Sequence, residues 1–141
     1  MAKVERFEEL DAWRLARAVT KKIYDFSNSG PFARDFGLRD QMRRAAVSIL
    51  SNIAEGFERH ADRSFHQFLV IANGSAAELR AQLYVALDLG YISNAQFDDC
   101  RADIVRIGRM LTGLMQYLKK NIDDSPSPNH PTNRPCDPQT V

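Results

Sequence analysis

The stretch from Ser93 to Leu118, SNAQFDDCRADIVRIGRMLTGLMQYL, has an apolar side chain at every third or fourth position. These positions are Phe97, Cys100, Ile104, Ile107, Leu111, Leu114 and Leu118. Steps of three and four place side chains on one face of an α-helix, and their alternation is typical of the seam between packed helices. Ser93 and Gln96 form a capping-box pair, so we predict that a long helix begins here.

Three earlier segments show the same spacing, at residues 7–26, 38–59 and 62–89. Their apolar lines are Ala12, Leu15, Ala16, Val19, Ile23 and Phe26; Leu38, Met42, Ala45, Ile49, Ile53 and Phe57; and Phe65, Leu69, Ala72, Ala76, Leu79, Leu83 and Leu87. Asp62 is a residue type that favours an N-cap, and Gly90 suits the position after a helix ends. No segment alternates like a β-strand, so we predict an all-α, antiparallel up-down-up-down four-helix bundle.

The chain has the length of one ordinary domain, 141 residues. Five of its six prolines lie in the last segment, SPSPNHPTNRPCDPQTV, and the sixth, Pro31, lies in the breaker SNSGPF. A segment so rich in proline cannot propagate a helix and has little apolar surface to bury. We therefore predict a bundle domain over residues 1–122 and a disordered Pro-rich tail over residues 123–141.

The composition and the net charge limit the kinds of protein that this chain can be. The formal net charge is +1, and the tail from Asp123 onward contributes one arginine and three acids, so residues 1–122 carry +3. Cys100 and Cys136 are far apart, which excludes a disulfide framework, and we read Cys100 as a core residue. The first ten residues contain no apolar signal region and no run has the length of a membrane span, so we expect a cytoplasmic protein without membrane contact.

Catalytic and metal-binding motifs are missing from the sequence. A di-iron bundle needs Glu-x-x-His pairs, whereas Glu55, Glu58 and Glu78 are followed three residues later by Glu58, Ala61 and Ala81. There is no phosphate-binding loop with a Walker lysine and no nucleophile elbow. We predict no enzymatic activity, no cofactor and no metal, although an enzyme with a cofactor between subunits is a remaining alternative.

One line of the second helix, in SILSNIAEGFERH and the residues before it, is polar. It comprises Gln41, Arg44, Ser48, Asn52, Glu55 and Arg59, and we call it the polar stripe. Glu55 and Arg59 have the i,i+4 spacing of a helical ion pair. We expect the polar stripe to form hydrogen bonds that specify a bundle or a ring, and direct ligand contact is the alternative.

A second line of the third helix carries small and β-branched residues where a solvated face would carry charged ones. It comprises Val70, Gly74, Ala77, Ala81 and Val85, and we call it the small-residue face. Val47, Leu50 and Ala54 widen the apolar surface of the second helix in the same way. We predict that the small-residue face is a subunit interface in a homo-oligomer, and the alternative is that it packs inside the same bundle or is a tolerated apolar patch.

Basic residues cluster on the first helix, at the start of the second helix, and at the turn before the third. As candidate nucleic-acid contacts we select Arg14, Arg17, Lys21, Arg43, Arg44, Arg59 and Arg63. Assembly into a ring would repeat each patch and concentrate its charge, which favours phosphate binding. The alternative is that these side chains are solvated and paired with nearby acids.

Four segments of the chain resemble a known family: FEELDAWRLA (residues 7–16), GLRDQMRRAAVSILSNIAEGFER (37–59), FHQFLVIANGSAAEL (65–79) and LGYI (89–92). Over Phe7 to Leu118 the sequence is similar to four-helix bundle proteins encoded by intervening sequences of bacterial large-subunit ribosomal RNA genes. That family is similar in fold to the basic accessory protein of diversity-generating retroelements. The resemblance implies a homopentamer of four-helix bundles without enzymatic activity. The pI near 7.8 is far less basic than that of the accessory protein.

Taken together, these patterns predict a non-enzymatic, homo-oligomeric helical protein that binds RNA or a ribonucleoprotein through repeated arginine-rich patches, and the resemblance implies that the oligomer is a pentamer. The rival prediction is a protein-interaction scaffold that binds no nucleic acid. The near-zero net charge favours the rival, and the local arginine clusters favour RNA binding.

Overall fold

The computed structural model describes residues 3–124, which form five α-helices and one 3₁₀ turn and contain no β-strand. The 3₁₀ turn spans Phe7–Glu9, and the helices are α1 (Asp11–Phe26), α2 (Gly30–Arg34), α3 (Phe36–Glu58), α4 (Asp62–Asp88) and α5 (Asn94–Asp124). The predicted all-α class is confirmed for this part of the chain. None of the described helices is long and apolar enough to cross a membrane.

Each long helix packs against two others: α3 against α1 and α4, and α5 against α1 and α4. Contacts along α3 and α4 show that these two helices are antiparallel, because Ser48 meets Ser75 and Gly56 lies against Phe68. Lys22 of α1 reaches the start of α5, where it binds the carboxylate of Asp103. The core lies between these four helices.

The predicted apolar lines form most of this core. Members of all four lines are fully buried, including Val19, Ile23, Met42, Ile49, Ile53, Leu69, Leu79, Leu83, Ile107 and Leu111. Leu38, Phe65, Leu87 and Leu114, at or near the ends of these lines, are partly buried and pack against the core. Periodicity therefore identified which face of each long helix turns inward, since burial of that face is what stabilises an amphipathic helix.

Several helix boundaries differ from the prediction. The segment SNSGPF does not only break the chain: α2 forms there, with Pro31 in its first turn, where a missing N–H costs nothing. Asp62 is not the N-cap of α4, which is Ala61, because the turn closes with His60 at a φ of 58°. Asp62 instead lies in the first turn, where its negative charge interacts favourably with the positive end of the helix dipole.

The start of the first helix and the end of the last helix also differ from the prediction. Phe7–Glu9 form a 3₁₀ turn, so α1 begins only at Asp11. At the other end, α5 continues to Asp124, two residues past the predicted domain boundary. The rest of the predicted Pro-rich tail, residues 125–141, lies outside the described residues.

Two predicted end signals are confirmed. Ser93 and Gln96 form a reciprocal capping box: the Ser93 N–H donates to Gln96 Oε1 at 2.9 Å, and the Gln96 N–H donates to Ser93 Oγ at 3.1 Å. Gly90 follows α4 with a φ of 74°, a conformation in which glycine has no steric penalty. Phe32 of α2 stacks on Tyr91 beside this turn, with ring centroids 5.1 Å apart.

Candidate functional site

The basic residues of α1 are partly engaged within their own helix and the turn before it. Arg14 Nε donates to the carbonyl oxygen of Glu8 at 2.7 Å, and Lys21 forms an exposed ion pair with Asp25 at 2.9 Å. The guanidinium of Arg17 lies 5.9 Å from the ring of Trp13. These contacts leave all three cationic groups at the surface, where they can still meet a phosphate.

Arg43 and Arg44 of α3 differ sharply in their surroundings. Arg43 reaches across to the end of α1, where its guanidinium donates to Ser27 Oγ at 2.9 Å and to the Ser27 carbonyl at 3.1 Å. Arg44 is exposed and forms no ion pair or hydrogen bond with the described residues. Both side chains line one shallow groove, together with Tyr24, Asp40, Val47 and Ser48.

Arg59 and Arg63 lie around the turn between α3 and α4. Arg59 forms the predicted i,i+4 ion pair with Glu55, at 3.0 Å, and its guanidinium lies 4.9 Å from the ring of Phe68. Arg63 is exposed. This turn lies at the other end of α3 from Arg43 and Arg44, so the candidate phosphate contacts form separate clusters on one chain rather than a single patch.

The polar stripe divides into a half-buried centre and exposed ends. Ser48 Oγ lies 2.7 Å from Ser75 Oγ of α4, and Asn52 Nδ2 donates to both the carbonyl and the hydroxyl of Ser48. Gln41, Arg44, Glu55 and Arg59 are exposed. The centre therefore joins two helices by hydrogen bonds, while the ends face solvent. Ser75 was missed in the sequence because only the pairing of α3 with α4 brings it to Ser48.

The small-residue face of α4 is exposed from Val70 to Val85. Val70 is 52% exposed and Val85 is 46% exposed, and a Cβ added at Gly74 would meet nothing within 4 Å. Ala77 and Ala81 are exposed between them, and Ile71 is exposed beside them. The face therefore does not pack against the other described residues, whereas a subunit interface and a tolerated exposed patch both stay predictions.

A second surface with apolar character lies between α1 and α3. It is a shallow groove lined by Phe7, Trp13, Leu50, Ser51, Ala54, Glu55 and Glu58. Trp13 Nε1 is buried and has no hydrogen-bond partner among the described residues. Leu50 and Ala54, two residues of the widened apolar surface predicted for the second helix, line this groove, whereas Val47 lines the groove beside Tyr24.

Two titrating groups at the contact of α1 with α5 have perturbed pKa values. Hydrogen bonds to Asp103 and Asp99, at 2.7 and 2.6 Å, raise the pKa of Lys22 above its ordinary value of 10.5. Burial raises the pKa of the Cys100 thiol to about 12. A thiol that remains protonated is a poor nucleophile, which agrees with the reading of Cys100 as a core residue.

Within residues 3–124, no cluster of three or more His, Cys, Asp or Glu side chains could hold a metal ion.

These features define a class: an all-helical protein with exposed basic clusters and an exposed apolar face. The family described as 23S rRNA-intervening sequence protein matches residues 8–113. Because this match covers most of the chain, the protein belongs to that family, and the resemblance seen in the sequence is confirmed. No curated protein matches the chain.

A solved structure shares the fold. The chain is similar to a protein of unknown function from the S23 ribosomal protein family, from Bacteroides thetaiotaomicron, with a TM-score of 0.69 and 21% sequence identity. The match covers 74% of this chain and 95% of the other. At this identity the likeness shows the fold alone.

Proposed function

We propose that this protein is a non-enzymatic four-helix bundle that assembles as a ring-like homo-oligomer, a pentamer, and binds RNA or a ribonucleoprotein through repeated arginine clusters. The exposed small-residue face of α4 is the observation that carries the proposal. A solvated helix face of this length normally bears charged side chains, and large exposed apolar patches mark interaction surfaces.

A ring requires two different complementary surfaces on each subunit, since the same contact repeats head to tail. The small-residue face of α4 supplies one, and the groove between α1 and α3 supplies the other. The exposed Glu58 lies at the edge of that groove, and Leu50, Ala54 and the ring of Trp13 supply its apolar lining. Pairing of these two surfaces would bury both apolar patches that a single chain leaves open.

RNA binding follows from assembly rather than from the charge of one chain. Arg44 and Arg63 are exposed, and a ring would present each of them once per subunit around its rim. Several such contacts together give a salt-dependent affinity for phosphates that one patch cannot provide. The family name, which refers to intervening sequences of 23S rRNA, agrees with a role near RNA.

A protein-interaction scaffold is the second candidate. The contacts of Arg14, Lys21 and Arg59 with groups of the same chain favour it, because arginines and lysines already paired gain less from a phosphate. The net charge of +1 favours it as well.

A titration of labelled structured RNA at low and near-physiological salt separates the two candidates. We expect binding that weakens steeply with salt. An Arg44→Ala/Arg63→Ala double variant should lower the salt slope by about 0.7–0.9, the range from single strands to duplex DNA, for each phosphate that the variant no longer neutralises. Arg101→Ala/Arg106→Ala on α5 removes the same charge away from the proposed contacts and should bind like the parent. Absence of binding even at low salt would reject the RNA proposal and leave the scaffold.

A further inference from the structure

Two exposed aromatic rings lie beside arginines where α1 ends and α3 begins. Tyr24 is 41% exposed and Phe36 is 63% exposed. The guanidinium of Arg43 lies 4.4 Å from the Tyr24 ring centroid, and that of Arg39 lies 4.7 Å from the Phe36 ring centroid. We call these four residues, Tyr24, Phe36, Arg39 and Arg43, the ring surface, where the word ring refers to the two aromatic side chains and not to the proposed oligomer.

Both arginines of the ring surface are held in place by other contacts. Arg43 donates to the side chain and the carbonyl of Ser27, and Arg39 donates to the carbonyl of Ala33 at 3.0 Å and to Asp40 at 2.9 Å. The fixed guanidinium groups restrict the rotation of the Tyr24 and Phe36 side chains that they contact. These side chains therefore lose less conformational entropy when a ligand binds. The surface is therefore preorganised.

The ring surface is continuous along one helix face. Phe36, Arg39 and Arg43 are spaced three and four residues apart on α3, so their side chains are neighbours. Arg43 connects this row to Tyr24 on α1, and Arg44 lines the same groove as Tyr24 and Arg43. Phe36 is exposed beside arginines, so it does not contribute to the apolar core of the chain.

The charge around the ring surface is positive overall. Its basic residues are Lys21, Arg34, Arg39, Arg43 and Arg44, and its acidic residues are Asp25, Asp35 and Asp40. Each acid is already engaged: Asp25 with Lys21, Asp40 with Arg39, and Asp35 with the hydroxyl of Tyr91 and the N–H of Leu38. An anionic ligand would therefore meet mainly Arg34 and Arg44, which form no ion pair or hydrogen bond with the described residues, and of these two Arg44 lines the groove with Tyr24.

We propose that the ring surface binds an unpaired segment of RNA, with bases stacked on Tyr24 and Phe36 and with phosphates near Arg44. Aromatic rings and arginine planes bind the faces of unpaired bases. A duplex hides those faces in its own stack and offers only phosphates and groove edges. The inference rests on the proposed RNA-binding function and names the form of RNA that it takes.

Fluorescence anisotropy tests the proposal with two probes, an unstructured pyrimidine-rich RNA and a blunt RNA duplex with the same number of phosphates. We expect the parent protein to bind the single strand more tightly. Tyr24→Leu and Phe36→Leu should each weaken single-strand binding about fivefold or more, the lower range for loss of one base–ring stack. The salt slope should stay unchanged, because a ring carries no charge. Phe36→Trp should keep the parent affinity.

Tyr117→Leu is the matched control, since Tyr117 is 61% exposed on α5 and lies beside the turn between α3 and α4, at the opposite end of α3 from the ring surface. It should bind both RNAs like the parent. If the leucine variants bind the single strand as the parent does while Arg44→Ala weakens binding, the stacking proposal is overturned and the proposed function stands. Tighter binding to the duplex also overturns it. If the parent binds neither RNA at low salt, the proposed function fails as well.

Discussion

At the scale of single residues, Gly56 shows how closely α3 and α4 approach each other. A Cβ at this position would lie 2.7 Å from the Cβ of Phe68 and 3.0 Å from Cδ1 of Phe65. Both neighbours belong to α4, and the Cβ of Phe68 is fixed to the helix backbone. A side chain at position 56 would therefore push the two helices apart.

We predict that Gly56→Ala lowers the free energy of unfolding by about 1–3 kcal/mol, the usual cost of overpacking a tight contact. Gly113→Ala is the control, because a Cβ there meets nothing within 4 Å. In the interior of α5 it should stabilise the protein by up to about 1 kcal/mol, since alanine favours helix more than glycine does. Urea unfolding measures both. Equal stability of the two variants would contradict the close packing described here.

The sequence shows Gly56 as part of the motif SNIAEG but not why glycine stands there. The helical period predicts that position 56 lies near the buried face, next to Ile53 and Phe57. It does not reveal that phenylalanines of α4 pack directly against it, because that depends on how two helices cross. Tyr24 and Phe36 were missed for another reason: Tyr24 lies off the apolar line of the first helix, and Phe36 precedes the predicted start of the second helix at residue 38.

At the scale of elements, Lys22 connects α1 to α5. Its ammonium group is bound by Asp99 at 2.6 Å and Asp103 at 2.7 Å, and Asp103 is largely buried. The adjacent Lys21 pairs only with Asp25 of its own helix, and both of those side chains are exposed. Two neighbouring lysines of one helix thus have different structural roles.

We predict that Lys22→Met destabilises the protein by about 1 kcal/mol, whereas Lys21→Met costs about 0.3 kcal/mol, the range of an exposed helical pair. Because the folded protein raises the pKa of Lys22, its contribution is complete below the unfolded value of 10.5 and is lost as pH rises through the folded pKa. Denaturant unfolding at neutral and at strongly alkaline pH measures this. An equal loss from both substitutions, or a Lys22 effect that persists at alkaline pH, would contradict it.

The existence and inward faces of the four long helices were predictable from their period, and so were the Ser93 capping box and the end of α4 at Gly90. The short helix α2 was not, since Gly30 and Pro31 indicate a break rather than a helix start. The partners of Lys22 and Ser48 were not either, because Asp103 and Ser75 lie far away in the sequence. Local signals locate helices, and the pairing of helices decides which polar groups meet.

At the scale of the whole molecule, two of the surfaces that the single chain leaves open are the small-residue face of α4 and the groove between α1 and α3. Our proposal joins them in a ring. Ala77 lies at the centre of the small-residue face and Ala102 lies on an exposed part of α5. A charge at Ala77 would be placed in the proposed interface, whereas the same charge at Ala102 would remain in water.

We predict that Ala77→Glu dissociates the oligomer into single folded chains, because an unpaired charge in an apolar interface is costly to bury. Ala102→Glu should leave the assembly intact. Circular dichroism should show the parent helix content in both variants, since both positions are exposed in the single chain. If Ala77→Glu leaves the assembly unchanged, the small-residue face is not the interface.

The most direct test of the ring is the native mass of the full-length parent protein at micromolar concentration, measured by light scattering or native mass spectrometry. The proposal predicts a single species of five times the chain mass of 16.0 kDa. Another closed oligomer would correct the number of subunits but keep the repeated arginine clusters. A single species of 16.0 kDa would contradict the ring and, with it, the binding of RNA through clusters repeated around it.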